Sequence, residues 1–167
     1  MAALPTTHEF HVPLGSDDRA VAGELQRMLV DLVDLALIGK QAHWNVEGRQ
    51  FRSLHRELDE LVDAWRTLGD EVAERAVTIG AALDGQAETI AGSTEIEPLP
   101  RGVLGDQAVI DAIATRLAEV TARTRERIER TAGVDAVSED LLIRIAGSLE
   151  KQLWLIRAQR ERLKCHA

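Results

Sequence analysis

The 167-residue chain contains no tyrosine, and aromatic residues of every kind make up only 3% of it. With Ala, Leu, Glu, Arg and Val plentiful, that composition favours a helical bundle. A single cysteine, Cys165, excludes an internal disulfide and leaves the redox compartment open, with the cytoplasm as the default localisation. The four prolines, Pro5, Pro13, Pro98 and Pro100, leave long proline-free stretches between them. No run approaches the ~18 apolar residues of a membrane span, and the opening MAALPTTHEFHVPLG lacks a basic stretch followed by an apolar one. A soluble protein without a signal peptide and with no membrane partner is the expectation. Positive charge is also scarce: the formal net charge is -8, and residues 1–18 contain neither Lys nor Arg. Phosphate contacts need clustered cations, so a general nucleic-acid surface is disfavoured, whereas an acidic chain suits cations.

What is present is helical periodicity. The length suits one domain. After a tail over 1–16, Ser16 or Asp17 offers an N-cap, and Leu25, Leu29, Leu32, Ala36 and Gly39 form a stripe reaching His43. This first helix, about 17–46, stops near Gly48. A second, about 50–83, carries Leu54, Leu58, Leu61, Trp65, Leu68, Val72, Ala76 and Ile79 inward, and the short turn before it makes the two antiparallel. The glycine- and proline-rich stretch 84–105 reads as a crossover, with room for a short helix inside it. Helices over about 106–132 and 138–164 follow, the second capped by Ser138 and carrying a stripe out to Leu163, and 165–167 form the end. Two helices, one long crossing and two more helices predict an all-α, ferritin-like four-helix bundle.

The second helix raises a geometric question. His55 and Asp59 are four residues apart, as are Asp70 and Glu74. At about 100° per residue all four fall on one side of the helix, next to the leucine stripe. Yet the two pairs lie about 22 Å apart along the axis, whereas metal–ligand bonds are about 2.0–2.6 Å. A two-fold axis near 64–66 removes the conflict, because antiparallel copies bring the His55/Asp59 pair of one chain to the Asp70/Glu74 pair of the other. His43 can join across the short turn. Charges at i, i+4 also describe a solvated face, and a histidine on an apolar stripe also describes a hydrogen-bonded core residue; spacing leaves both readings standing. A mixed nitrogen and oxygen set suits Fe(II), Mn(II) or Zn(II).

The segments KQAHWNVEG, FRSLHRELDELVD and DEVAERAVTIG, with LEKQLWLIRA near the C-terminus, resemble the Dps family of mini-ferritins. The combination of HWN, LHxxxD and DxxAER is specific, and the resemblance spans all four helices. It implies a homododecameric hollow shell with ferroxidase sites at two-fold interfaces, where Fe(II) is bound, oxidised preferentially by hydrogen peroxide rather than oxygen, and stored as ferric mineral, protecting the cell from oxidative damage. Carried onto this chain, the metal ligands are His43, His55 and Asp59 from one subunit and Asp70 and Glu74 from its partner, with iron as the metal and Zn2+ or Mn2+ as alternatives at the same site.

The resemblance also places Trp44 beside the iron, as an electron donor or radical trap, with a packed core indole as the alternative. Lys40 and Arg75 become supporting or interface charges, and Asp140 falls in the region of an iron-entry pore. DNA binding transfers poorly, since the N-terminal tail lacks the cations that DNA-binding members carry there; it is expected to be weak or absent, with a DNA-compacting nucleoid protein as the alternative reading. A di-iron site inside one bundle is disfavoured because its Glu-x-x-His pairs are missing. His8 and His11 in the tail are read as a structural detail rather than a metal site.

Overall fold

The computed structural model describes Val12 and residues 18–160. His8, His11, the expected cap at Ser16 or Asp17, Leu163 and Cys165 lie outside the described residues. The chain runs through α1 (Asp18–Asn45), β1 (Val46–Glu47), α2 (Phe51–Thr78), α3 (Ala87–Ser93), β2 (Leu104–Gly105), α4 (Asp106–Thr131) and α5 (Ala136–Ala158). No helix among the described residues is long and apolar enough to cross a membrane. The expected leucine stripes face inward: Leu25, Leu32, Leu54, Leu58, Trp65, Ile110, Leu117 and Leu142 are fully buried in one contiguous core.

The crossing between α2 and α4 traverses the length of the bundle. Its far end is tied back by a two-residue parallel pairing, Val46 with Leu104 and Glu47 with Gly105, which sets the start of α4 beside the end of α1. Gly48 makes that junction. It has φ +128°, and a Cβ there would stand 2.5 Å from the Asp106 carboxylate. That carboxylate accepts from Gln50 N and Gln107 N, both at 2.8 Å, so it joins the start of α2 to the start of α4. Inside the crossover, α3 forms where the sequence leaves room for a short helix. Arg116 holds the rest of the segment by donating to the carbonyls of Glu97 and Pro98 at 2.7 and 2.8 Å.

Three boundaries differ from expectation, one being the end of the last helix, which stops at Ala158 with Gln159 as its C-cap rather than running to 164. Helix α2 ends at Thr78 rather than near Leu83 because Gly80 takes φ +86° and closes the helix: Ala81 N donates to Ala76 O at 2.8 Å and Gly80 N to Val77 O at 3.0 Å. The apolar residues beyond it, Ile79 and Ala81, are buried as a turn rather than as a helical stripe. The cap of α5 is Asp135, whose side chain accepts from Val137 N and Ser138 N, and not Ser138, which lies inside the helix.

Candidate metal site

His43 lies in the last turn of α1 and His55 in the second turn of α2, so the tight turn at 46–50 brings them face to face. The rings stack at 3.6 Å between centroids. Each Nδ1 meets the other residue's main chain: His43 Nδ1 lies 2.8 Å from His55 O, and His55 Nδ1 lies 2.9 Å from His43 O. A carbonyl only accepts, so both Nδ1 atoms carry a proton, and Nε2 is the ring atom left to offer a lone pair to a metal. This second-atom hydrogen bond is the usual way a protein fixes the tautomer of a metal-ligating histidine.

One turn beyond His55, Asp59 lies with Oδ1 3.4 Å from His43 Nδ1 and in direct ion pairing with the Lys40 ammonium. The Lys40 hydrogen bond holds the Asp59 carboxyl below its usual range, against a desolvation penalty and with help from the nearby imidazoles. Asp59 is therefore ionised throughout the neutral range. Lys40, expected as a supporting charge, lies on α1 three residues before His43 and faces Asp59 across the helix pair as its immediate counter-ion.

Asp70 and Glu74 lie three to four turns further along α2 and are exposed. Among the described residues, no three His, Cys, Asp or Glu side chains converge to hold one ion. The chain thus brings His43, His55 and Asp59 together as neighbours and leaves Asp70 and Glu74 apart. Between the two groups, a groove of about 310 Å³ runs between α1 and α2, lined by Leu32, Ala36, Trp65, Gly69 and Ala73, with Asp70 at its edge. Gly39 lets the helices close beneath it, since a Cβ there would meet Val62 at 2.6 Å and Trp65 at 2.7 Å.

The remaining expected residues have definite surroundings. Trp44 is 69% exposed, which removes the packed core indole for the single chain: it follows His43 on the outer side of the helix end. Arg75 turns away from Glu74 and donates to Asp135 Oδ2 at 2.6 Å and Ser138 Oγ at 3.0 Å, clasping α2 to α5. Asp140 is exposed and lies 3.7 Å from Arg144 Nε. Sequence spacing missed the reciprocal histidine bonds and the role of Asp106, because both join residues through backbone atoms or across more than fifty positions.

Residues 22–165 match the family model described as the ferritin-like domain. The chain is 38% identical over 154 residues to the DNA protection during starvation protein of Mycolicibacterium smegmatis, which covers 91% of this chain and 84% of the relative. It is 33% identical over 159 residues to the protein of the same name from Agrobacterium fabrum, covering 91% and 95%. A solved structure of Mycobacterium smegmatis Dps superposes with a TM-score of 0.87 at 36% identity, over 94% of this chain and 96% of that one.

Proposed function

The chain belongs to the Dps proteins of the ferritin-like family, and from that premise we propose that it is a ferroxidase that oxidises Fe(II) at sites shared between two-fold-related chains and stores the ferric product inside a closed shell of twelve. The observation that carries this reading is the stacked His43–His55 pair. Two imidazoles with Nδ1 committed to carbonyls leave two Nε2 atoms to act as donors beside an ionised Asp59. Alone they lack the further carboxylates that a hard-to-borderline divalent substrate prefers. Asp70 and Glu74 of a second copy supply them when two α2 helices cross antiparallel near Ala64 to Arg66, with the groove between α1 and α2 as the contact.

In this arrangement His43 and His55 orient Fe(II), the three carboxylates offset its charge, and Lys40 holds Asp59's charge until Fe(II) replaces it. Fe(II) is the substrate; Mn(II) and Zn(II) fit the same donors and compete with it. Two Fe(II) deliver the two electrons that reduce hydrogen peroxide, which is the oxidant favoured over oxygen. The relatives are named for DNA protection; for this chain, direct DNA binding is weak, because residues 1–18 carry no Lys or Arg and Arg160 is engaged with Asp111 at 2.6 Å.

Anaerobic titration of the purified particle with Fe(II), followed by peroxide and with particle mass measured on the same sample, tests this. Saturation near one or two Fe(II) per chain and rapid oxidation are expected. A monomer with no peroxide-dependent oxidation would refute the reading.

A further inference from the structure

Between the two half-sets of candidate ligands on α2 stands Trp65. The midpoint of the His55/Asp59 pair and the Asp70/Glu74 pair falls between Ala64 and Trp65, which is also where two antiparallel copies cross. Along the helix, about 11 Å separates Trp65 from each half-set. Its indole is fully buried, yet it lies along the groove between α1 and α2 that receives the second copy, with Asp70 at the edge. The six-membered ring passes under Gly39 of α1, where a Cβ would stand 2.7 Å from Cζ3. Gly39 directly precedes Lys40, the counter-ion of Asp59, and lies one turn before His43.

The surroundings of the indole give that position a redox character. The chain has three tryptophans and no tyrosine, and Trp44 and Trp154 are 69% and 65% exposed, so Trp65 is the one readily oxidised phenol or indole ring held out of water. Its Nε1 donates to Gln152 Oε1 at 2.8 Å. Gln152 is a neutral amide and takes no proton, so an electron leaves and returns to the indole while the N–H proton stays in place. Leu32, Ala36 and Ala73, its neighbours along the groove, are aliphatic and store no electron hole.

We infer that Trp65 relays an electron between the two iron sites of a two-fold pair, an inference that rests on the shared-site reading above. One Fe(II) supplies one electron, and hydrogen peroxide takes two. At a site holding a single Fe(II), its oxidation to Fe(III) cleaves the O–O bond into hydroxide and a hydroxyl radical. Trp65 gives that radical an electron, which leaves a second hydroxide and an indole radical cation. Fe(II) at the other site then reduces the indole and becomes Fe(III). In sum, two Fe(II) and one hydrogen peroxide yield two Fe(III) and two hydroxides. Electron transfer through protein falls off steeply with distance, so two steps of about 11 Å outrun one of about 22 Å.

The test is freeze-quench electron paramagnetic resonance of the assembled, Fe(II)-loaded protein after peroxide, with hydroxyl radical trapped in parallel. Well below one Fe(II) per chain, most pairs hold a single iron and an indole radical is expected; at one Fe(II) per chain it should vanish, because the second iron supplies the electron. Trp44→Phe/Trp154→Phe leaves Trp65 as the only tryptophan in a chain without tyrosine, and the same loading dependence should persist there. Trp65→Phe should bind Fe(II) and assemble like the parent but raise the trapped hydroxyl radical by at least about fivefold at one Fe(II) per chain, and Trp65→Tyr, again an oxidisable ring, should reverse part of that rise. If Trp65→Phe fails to assemble, the loading dependence of the double variant still decides. A radical unchanged at full loading, no radical in Trp44→Phe/Trp154→Phe, or a Trp65→Phe protein with the parent's hydroxyl radical yield would overturn the relay and leave the shared site standing. A parent protein that oxidises no Fe(II) with peroxide would overturn both.

Discussion

At Gly48 two independent requirements meet. The residue has φ +128°, a region that L side chains avoid, and the position a Cβ would take is already held by the Asp106 carboxylate at 2.5 Å. Gly48→Ala should therefore lower stability by about 2 kcal/mol or more, read as a drop in the thermal midpoint; an unchanged midpoint would show that the junction relaxes freely. The sequence places a helix stop at this glycine, and half of its role was legible there. The other half depends on Asp106, fifty-eight positions away, and no local pattern announces it. The same limit applies at the site: the types and spacing of His55, Asp59, Asp70 and Glu74 could be read from one helix, while the bonds that set the tautomers of His43 and His55 run through main-chain carbonyls and have no signature in residue identity.

At the scale of elements, Arg75 clasps α2 to the start of α5 through Asp135 and Ser138. Asp135 is buried, and burial alone would raise its carboxyl; the Ser138 hydrogen bonds and the Arg75 charge outweigh burial and lower it below the usual carboxylate range. A carboxyl depressed in the folded state stabilises fully above its unfolded pKa of about 3.9, and that contribution disappears as pH falls through the lower folded value. Asp135→Asn, which keeps a capping oxygen, should cost about 1–3 kcal/mol at pH 7 in chemical denaturation, and the gap to the parent should close below about pH 4. A gap that persists unchanged at pH 3 would contradict the ionic part. Helix existence and inward stripes were legible from period alone, because Leu25, Leu54, Leu117 and Leu142 fall on regular turns. The end of α2 was not, because the apolar pattern continues through Ile79 and Ala81 while Gly80 changes the backbone beneath it.

For the whole molecule, the two half-sets on α2 make assembly part of the chemistry. Native mass measurement should give a shell of about twelve chains, since a two-fold contact combined with other symmetric contacts closes on itself; a stable monomer at ordinary salt and pH would oppose the storage role. Gel retardation of DNA at about 0.15 M salt and neutral pH should be weak, because the formal net charge is -8 and residues 1–18 carry no Lys or Arg for counter-ion release; tight binding that vanishes on deleting residues 1–18 would show the charge argument to be wrong. The exposed face carrying Asp70, Glu74 and the groove beside Trp65 could be drawn from sequence only as one side of a helix; which residues it meets is a property of two chains. Co-assembly of two inactive variants tests that shared site most directly. His43→Ala/His55→Ala and Asp70→Ala/Glu74→Ala should each abolish rapid peroxide-driven Fe(II) oxidation, since each damages both sites of its dimer. A dimer of one chain of each kind retains one intact site, so refolding the two together should recover up to about one quarter of the parent activity for random pairing. No recovery, in shells shown by mass to contain both variants, would contradict a site shared between chains.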